Sequence, residues 1–374
     1  MNKLQEPVIV GNRLISIKDT LIMDSDERYM RRVMELAMLG SGNVSSNPMV
    51  GCVIVKDGEI IGEGYHERFG QPHAEVNAIQ SVQDKSKLEG ATLYVNLEPC
   101  SHYGKTPPCS NLIIEHKIAR VVFATIDPNP LVAGAGFEFL MSNGIEVIQG
   151  VLEEEGKELN CRFLTFMEKK RPYIILKWAE TADGFIAKEN FDSKWISNEV
   201  SRRLVHKWRS EEDVVLIGTN TALYDNPRLN VRDWTGRNPV RAFIDKQLQV
   251  PAGAHLLDGT QETICYNYIE QDVRNLVEYV KVDPMDDVID VIVNDMYVRK
   301  HLSILVEGGA QLLNTFMKKG LWDEIRIFRS QNEFGAGIAS PVIRAKADSH
   351  EMILNDELIV YKNKSKEYVT SLNA

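Results

Sequence analysis

Long uninterrupted apolar runs are missing from this 374-residue chain. No stretch approaches the roughly 18 uncharged apolar residues of a membrane helix, and the amino terminus has no contiguous apolar segment of the secretory type. A membrane-spanning or exported protein is therefore not expected. Cysteine is scarce: Cys52, Cys100, Cys109, Cys161 and Cys265 are the full set of five. An odd, sparse set builds no disulfide framework and suits a reducing compartment, so the expected location is cytoplasmic. Positive charge is also in deficit, with 43 Lys and Arg against 53 Asp and Glu for a formal net charge of −10. That balance counts against a nucleic-acid partner, whose affinity comes from neutralised phosphates. It leaves open a local basic pocket for one small phosphorylated substrate.

What is present is enough chain for two ordinary globular domains, 44% apolar by composition. Residues 1–22 carry no catalytic-type motif and read as an extension. Asp24 with Glu27 resembles a helix capping box, followed by Met30, Val33, Met34, Ala37 and Met38 at the helical period. Residues 50–55 and 59–66, joined by Lys56-Asp57-Gly58, predict a β-hairpin. A helix is expected from near His73, strands over 92–97 and 120–125 with a helix over 110–116 between them, a strand over 145–148, and one polar helix over 153–168. This alternation predicts an α/β layered domain over 23–168. The charge run Glu168-Lys169-Lys170-Arg171 closed by Pro172 marks a boundary. A second α/β pattern over 172–374 follows, with strands over 173–178, 214–217, 240–244 and 304–306 and helices over 199–210 and 310–319. Neither half repeats the motifs of the other, which points to a fusion of different domains.

Chemistry concentrates in His73-Ala74-Glu75, Pro99-Cys100 and Cys109. One imidazole and two thiolates form a zinc site with a fourth tetrahedral position open, the pattern of catalytic zinc. Zinc lowers the pKa of a water to roughly 7, and Glu75 is the nearby carboxylate that moves protons. The set matches the His-x-Glu and Pro-Cys-x-x-Cys signature of zinc-dependent base deaminases, except that the cysteines stand further apart. Pro99 ahead of Cys100 suits a helix start, where the dipole favours a thiolate. Cys52, inside an apolar run, reads as a small buried hydrophobe. Asn47, His66, Lys105, Asp127 and Asn129 fall in expected loops or at strand ends, where sites are built, although Asn47 and Asn129 each precede proline and by themselves read as turn residues.

In the second half, Glu307-Gly308-Gly309-Ala310 ends a strand and opens a helix, which lets backbone amides approach a phosphate. It is equally compatible with a plain tight turn. The Gly-x-Gly-x-x-Gly fingerprint of a dinucleotide-binding Rossmann fold is absent.

The segment Leu97-Glu98-Pro99-Cys100-Ser101-His102-Tyr103-Gly104-Lys105-Thr106-Pro107-Pro108-Cys109, with Asp127-Pro128-Asn129-Pro130 after it, closely resembles the bifunctional deaminase/reductase family of riboflavin biosynthesis. The eight residues between the thiolates, including Gly-Lys-Thr-Pro-Pro, separate that family from cytidine and transfer-RNA deaminases, which favour the shorter spacing. The likeness runs from Met23 onward. It implies a cytidine-deaminase-like α/β/α layered domain followed by a dihydrofolate-reductase-like α/β domain. By the same resemblance His73, Cys100 and Cys109 hold zinc, Glu75 shuttles protons, and Asn47, His66, Lys105, Asp127 and Asn129 line the pocket for a phosphoribosylated pyrimidine. In the reductase half it implies NADPH contacts at Ala179, Trp195, Thr221, Asp225, Gly308 and Gly309. Sugar-phosphate contacts are implied at Ser193, Arg209, Leu229, Arg232 and Glu307, where the guanidinium forks of Arg209 and Arg232 match phosphate oxygens.

The implied reactions are hydrolytic deamination of 2,5-diamino-6-(5-phosphoribosylamino)pyrimidin-4(3H)-one and NADPH-dependent reduction of 5-amino-6-(5-phosphoribosylamino)uracil to its ribityl form. Association between copies through the reductase domain is implied as well. The chain departs from the family at Ala135, where many relatives carry lysine, at Thr181-Ala182, where Ser-Leu is common, and at Phe185, where a basic residue is frequent. Two other readings stay open at this point: a nucleoside or nucleotide deaminase with an unrelated second domain, and a zinc-stabilised nucleotide-sensing protein.

Overall fold

The computed structural model describes residues 9–10, 13–14, 25–101, 108–128, 134–194 and 196–364. Two compact units divide the chain, Met1–Glu168 and Lys169–Ala374. Asp24, and with it the expected capping box, lies outside the described residues, as do Lys105, Asn129 and Trp195.

In the first unit β1 (Ile9–Val10) and β2 (Arg13–Leu14) form a short antiparallel ladder. The main sheet contains β3 (Gly51–Lys56), β4 (Glu59–Tyr65), β5 (Thr92–Leu97), β6 (Arg120–Thr125) and β7 (Glu146–Gln149), in the order β4-β3-β5-β6-β7. The expected hairpin is β3 and β4. It turns at Asp57 and Gly58, both at positive φ (52° and 80°), the backbone that a two-residue turn between twisted strands requires. The pairs β5–β6 and β6–β7 are parallel.

Helices α1 (Ser25–Met38), α2 (Ala74–Ser81), α3 (Cys109–Glu115), α4 (Ala135–Ser142), α5 (Glu153–Leu159) and α6 (Cys161–Lys169) complete the unit. The alternation of side chains along each strand sorts the core into two layers. Tyr29, Met30, Val33 and Met34 of α1 pack with Val53, Tyr94 and Val122. Ala78 and Ile79 of α2, Ile113 of α3 and Leu140 of α4 pack on the opposite face with Ile54, Val95 and Phe123. Cys52, fully buried in that second layer, is the small hydrophobe the sequence suggests.

Two expectations need correcting. The single polar helix over 153–168 is two helices, broken at Asn160. The reason is that Asn160 is buried and its carboxamide takes both backbone groups of Met49: Oδ1 accepts from Met49 N at 2.8 Å and Nδ2 donates to Met49 O at 2.9 Å. Asn96 adds a second clamp, donating to Met49 O and accepting from Gly51 N. The turn that carries Asn47 is thus held from two directions. Asn160→Ala leaves the Met49 N–H without that acceptor, and a buried donor so stranded costs about 1–3 kcal/mol. The expected result is a lower denaturant midpoint for the first unit at unchanged slope. The second correction concerns Pro99-Cys100, which opens no helix. The helix begins at Cys109, with Pro108 at its N-cap.

The second unit is built on β8 (Tyr173–Glu180), β9 (Phe185–Ala187), β10 (Val214–Ile217), β11 (Val240–Ile244), β12 (Thr263–Asn267), β13 (Asp272–Arg274), β14 (Val277–Lys281), β15 (Ser303–Val306), β16 (Glu324–Arg329), β17 (Ile338–Ala339), β18 (Ser349–Ile353) and β19 (Asp356–Lys362). Its ten-stranded sheet runs β13-β14-β12-β11-β10-β15-β8-β16-β19-β18. The strands from β14 to β16 in that order are parallel, while β13 and the β18–β19 hairpin are antiparallel edges. Near-continuous apolar strands such as Val-Val-Leu-Ile in β10, buried throughout, are what a sheet covered on both faces demands.

Among the described residues four helices flank the sheet: α7 (Glu199–Glu211), α8 (Thr219–Asp225), α9 (Val288–Val298) and α10 (Ala310–Lys318). Ile292 and Met296 of α9 and Leu313 and Phe316 of α10 share a core with Leu176, Leu216, Ala242 and Val306. Trp208 of α7 stacks on Phe328 of β16 at 5.3 Å. Among the described residues no helix is long and apolar enough to cross a membrane.

Candidate functional site

In the first unit the end of β5, the loop after β4 and the first turns of α2 and α3 converge. His73 is the N-cap residue of α2 and its own side chain makes no capping bond, which leaves the imidazole free to face the sulfurs. Its Nδ1 lies 3.7 Å from Cys100 Sγ and 3.4 Å from Cys109 Sγ. All three ligand atoms are within 4.8 Å of one another. Tetrahedral zinc with its ordinary Zn–S and Zn–N bonds places a sulfur and a nitrogen roughly 3.6 Å apart, so the two observed separations straddle that spacing. The chemistry of the donors fits as well. The adjoining Cys109 and His73 side chains lower the Cys100 thiol pKa to about 4 against the pull of burial. Cys100 Sγ also accepts the Cys109 backbone N–H at 3.3 Å, so the amino-terminal end of α3 stabilises a thiolate on Cys100. The dipole effect expected of a helix at Cys100 is therefore present, supplied by the helix that starts at Cys109.

Glu75 sits in the first turn of α2 and is 4% exposed. Burial raises its carboxyl above the ordinary value of 4.5, and the Cys100 charge adds to the rise, while the Cys109 side chain lies against it. The carboxylate is thereby placed beside the ligand cluster. His66 stacks edge-on against His73 at 5.9 Å. Its Nδ1 lies 3.0 Å from the Pro72 carbonyl, which only accepts, so Nδ1 donates and Nε2 is left to accept from Asn47 Nδ2 at 3.1 Å. Desolvation lowers the His66 pKa, which keeps this ring neutral. Asn47, His66, His73, Glu75, Cys100 and Cys109 are thus one connected group. Asp127 follows β6, and its backbone N–H is held by Glu98 Oε2 at 3.3 Å.

In the second unit Ala179, Thr221, Glu307, Gly308 and Gly309 lie at or just beyond the carboxyl ends of three neighbouring parallel strands, β10, β15 and β8, the edge where open α/β sheets bind ligands. Ala179 is near the end of β8. Gly218, the N-cap of α8, donates its N–H to Gly308 O at 2.9 Å, and Gly309 is the N-cap of α10. A Cβ added at Gly309 would lie 3.3 Å from Thr221 Oγ1, so Thr221 and the two glycines form one corner. Ser193 Oγ donates to Asp225 Oδ1 at 3.1 Å. Leu229 is buried and, at φ 49°, turns the loop after α8.

Arg209 departs from the simple picture of a free phosphate fork. Its Nε and Nη2 bind Glu307 Oε1 and Oε2 at 2.6 and 2.8 Å, and Nη1 reaches Asn230 O at 3.3 Å. Arg232 is half exposed and contacts Asn230 Oδ1 at 3.3 Å and Asp233 Oδ2 at 3.7 Å.

Sequence reasoning missed several members of both groups. Lys177 interrupts the apolar run of β8; burial depresses its pKa and Glu307 opposes the fall. The signal was a lone lysine in a buried strand. His206 is one turn before Arg209 on α7, 3% exposed, with Nε2 3.1 Å from Asp233 Oδ2. Burial first, and then Arg209 and Arg232, push its pKa down to about 4. Helical spacing from Arg209 would have found it. Glu98, Asn96 and Asn160 were also missed, and their roles depend on contacts no local pattern records.

Two family models match the chain: the cytidine and deoxycytidylate deaminase zinc-binding region over residues 23–125, and the RibD C-terminal domain over residues 172–351. The riboflavin biosynthesis protein RibD of Aquifex aeolicus is 43% identical over 324 residues, covering 85% of this chain and 90% of that protein. The chain belongs to the RibD family of riboflavin biosynthesis proteins. RibD of Escherichia coli is 39% identical over 330 residues, 83% of this chain and 89% of that one. A crystal structure of a diaminohydroxyphosphoribosylaminopyrimidine deaminase/5-amino-6-(5-phosphoribosylamino)uracil reductase from Thermotoga maritima matches with a TM-score of 0.84 at 40% identity, covering 90% of this chain and 98% of that one. RibD of Acinetobacter baumannii matches with a TM-score of 0.82 at 32% identity, over 90% and 98% of the two chains. The fold class read from the sequence stands: a cytidine-deaminase-like domain precedes a dihydrofolate-reductase-like RibD reductase domain. The chain is an enzyme of riboflavin biosynthesis with a zinc-binding deaminase region and a reductase domain that uses NADPH.

Proposed function

We propose that the first unit removes the 2-amino group of 2,5-diamino-6-(5-phosphoribosylamino)pyrimidin-4(3H)-one by hydrolysis. The second unit then reduces the ribosyl group of 5-amino-6-(5-phosphoribosylamino)uracil to the ribityl form. The observation that carries this reading is the convergence of His73, Cys100 and Cys109 with a buried Glu75 beside them. His73, Cys100 and Cys109 would hold zinc, which when bound would supply Lewis acidity and bring a water's pKa toward neutrality. Glu75 takes the proton of the attacking water on its carboxylate and delivers it to the departing nitrogen, a task suited to a carboxyl whose pKa burial has raised. Asn47, fixed by the neutral His66, and Asp127 hold the pyrimidine, with Lys105 and Asn129 as further contacts.

In the second unit bound NADPH would be the hydride source for reduction of the opened ribose at C1. Thr221 and the Gly308-Gly309 turn, with Ala179, Trp195 and Asp225, hold that cofactor, while Ser193, Leu229, Arg232 and Glu307 face the sugar phosphate. Arg209 orients Glu307, so Arg232 is the guanidinium left to meet the phosphate. A cytoplasmic location is supported by five cysteines, none of them in a disulfide. Association of copies through the reductase unit is supported by the outermost strand β18 with Met352 and Leu354 exposed beside it.

The test supplies the diaminopyrimidine phosphoriboside with and without NADPH, measuring ammonia and nicotinamide absorbance separately. Ammonia is expected in both cases, and cofactor oxidation only after deamination. No ammonia would reject the reading of the first unit. Ammonia without cofactor oxidation, even on added deaminated product, would instead favour a deaminase carrying an unrelated second domain.

A further inference from the structure

We propose that Glu98 is a positioning residue for deamination: its buried carboxylate fastens the backbone that carries Asp127 to the backbone that carries Cys100. Glu98 is 3% exposed and lies two residues before the metal-ligating Cys100. Its Oε2 accepts from Asp127 N at 3.3 Å and from Gly134 N at 3.1 Å, and its Oε1 accepts from Phe137 N at 3.1 Å. One side chain therefore binds the backbone two residues beyond β6 and the first turn of α4, near the two ends of the connection between those elements. A carboxylate is the group for this task. It offers two acceptor oxygens and no donor, and its charge is favoured at the amino-terminal end of α4.

A second observation points to the same joint. A Cβ added at Gly136 in α4 would come 2.2 Å from Pro99 O and 3.2 Å from Glu98 Oε1. The first turn of α4 is seated directly against the Glu98-Pro99 backbone, and only glycine permits that approach. The Glu98 N–H is also bonded to Thr125 O at 2.9 Å, which closes the same seam from the strand side. The segment bearing a zinc ligand and the segment bearing a pyrimidine contact are in this way held at one fixed separation. A small shift of the second against the first misplaces the substrate without disturbing the ligand cluster. This inference rests on the deaminase reading and on Asp127 as a substrate contact.

The test compares Glu98→Gln and Gly136→Ala with the wild-type full-length chain. In Glu98→Gln an amide NH2 replaces one acceptor and faces backbone donors. In Gly136→Ala the carboxylate is kept but the helix is pushed off its seat. Both variants are expected to raise KM for the diaminopyrimidine phosphoriboside at least 10-fold with kcat within about 3-fold, about 1.4 kcal/mol or more in kcat/KM. Both should keep one zinc per chain and oxidise NADPH on deaminated product at the wild-type rate. KM unchanged in both variants overturns the proposal. So does loss of zinc with kcat falling at constant KM, which would make Glu98 a support of the ligand cluster alone. Should Glu98→Gln not fold, Gly136→Ala decides by itself. A wild-type chain that releases no ammonia, or an Asp127→Asn variant with ordinary KM, strikes the reading underneath and is thereby told apart from failure of the Glu98 role.

Discussion

Glu75→Gln abolishes ammonia release while zinc stays bound. Glutamine matches glutamate in size, so the buried position beside Cys109 is filled without strain, and none of His73 Nδ1, Cys100 Sγ or Cys109 Sγ is altered. What is lost is the ability to take and return a proton. A single positioned acid or base contributes about 10²–10⁴-fold to rate. Glu75 serves both the attack and the departure of nitrogen, so the expected fall is about 10³-fold or more in kcat, with little change in KM. Metal content measured on the purified variant should remain one zinc per chain. Reductase turnover on deaminated product should match the wild type, because Glu75 lies in the first compact unit and the reductase residues in the second. Ammonia release within tenfold of the wild type, with zinc retained, would remove Glu75 from its place in the reaction.

The residues that carry this chemistry were legible because they are local. His73 and Glu75 are two apart, and Cys100 and Cys109 follow in one segment, so side-chain type and spacing alone expose a three-ligand metal cluster with a carboxylate at hand. The hairpin of β3 and β4 was legible for the same reason, since Asp57-Gly58 states its own turn. Glu98 stands two residues before Cys100 and still escaped notice. Its partners are backbone N–H groups of residues 127, 134 and 137, which every residue type except proline supplies. Asn160 escaped for a related reason: the polar pattern over 153–168 is helical, and the break is imposed by Met49, which is 111 residues away.

The second half hid more. Its parallel strands are apolar runs whose order in the sheet no periodicity encodes. The expected free fork of Arg209 was a property of its type, whereas its binding to Glu307 arises only when α7 and the end of β15 are brought together. The family resemblance supplied most of the reductase contacts, and the residues by themselves offered little beyond Glu307-Gly308-Gly309.

That pairing sets the largest effect expected in the second unit: Arg209→Met lowers its stability by about 3–5 kcal/mol, the cost of leaving a buried charge without its partner. Arg209 and Glu307 are only 11% and 7% exposed in their side chains, so water cannot replace the lost guanidinium. Burial by itself would push the Glu307 carboxyl up. Arg209 foremost, then Lys177 and His206, outweigh it and hold the pKa at about 2, below the ordinary 4.5. A carboxylate so depressed contributes stability that is complete above the unfolded value near 4.5 and is lost as pH falls toward 2. Over that interval the contribution is about 3 kcal/mol, in line with the cost expected for breaking the pair.

Glu307→Gln removes the charge but keeps an acceptor for Arg209, and its deficit against the wild type should shrink as pH is lowered from 5 to 3. Arg209→Met should melt roughly 10 °C lower at pH 7 and lose reductase turnover, because Glu307 is no longer aimed. Denaturation followed through Trp208 on α7, with cofactor oxidation measured in parallel, checks both variants. A melt of Arg209→Met within 1 kcal/mol of the wild type, or a Glu307→Gln deficit that stays constant from pH 5 to pH 3, would mean that this ion pair does not hold the reductase site together.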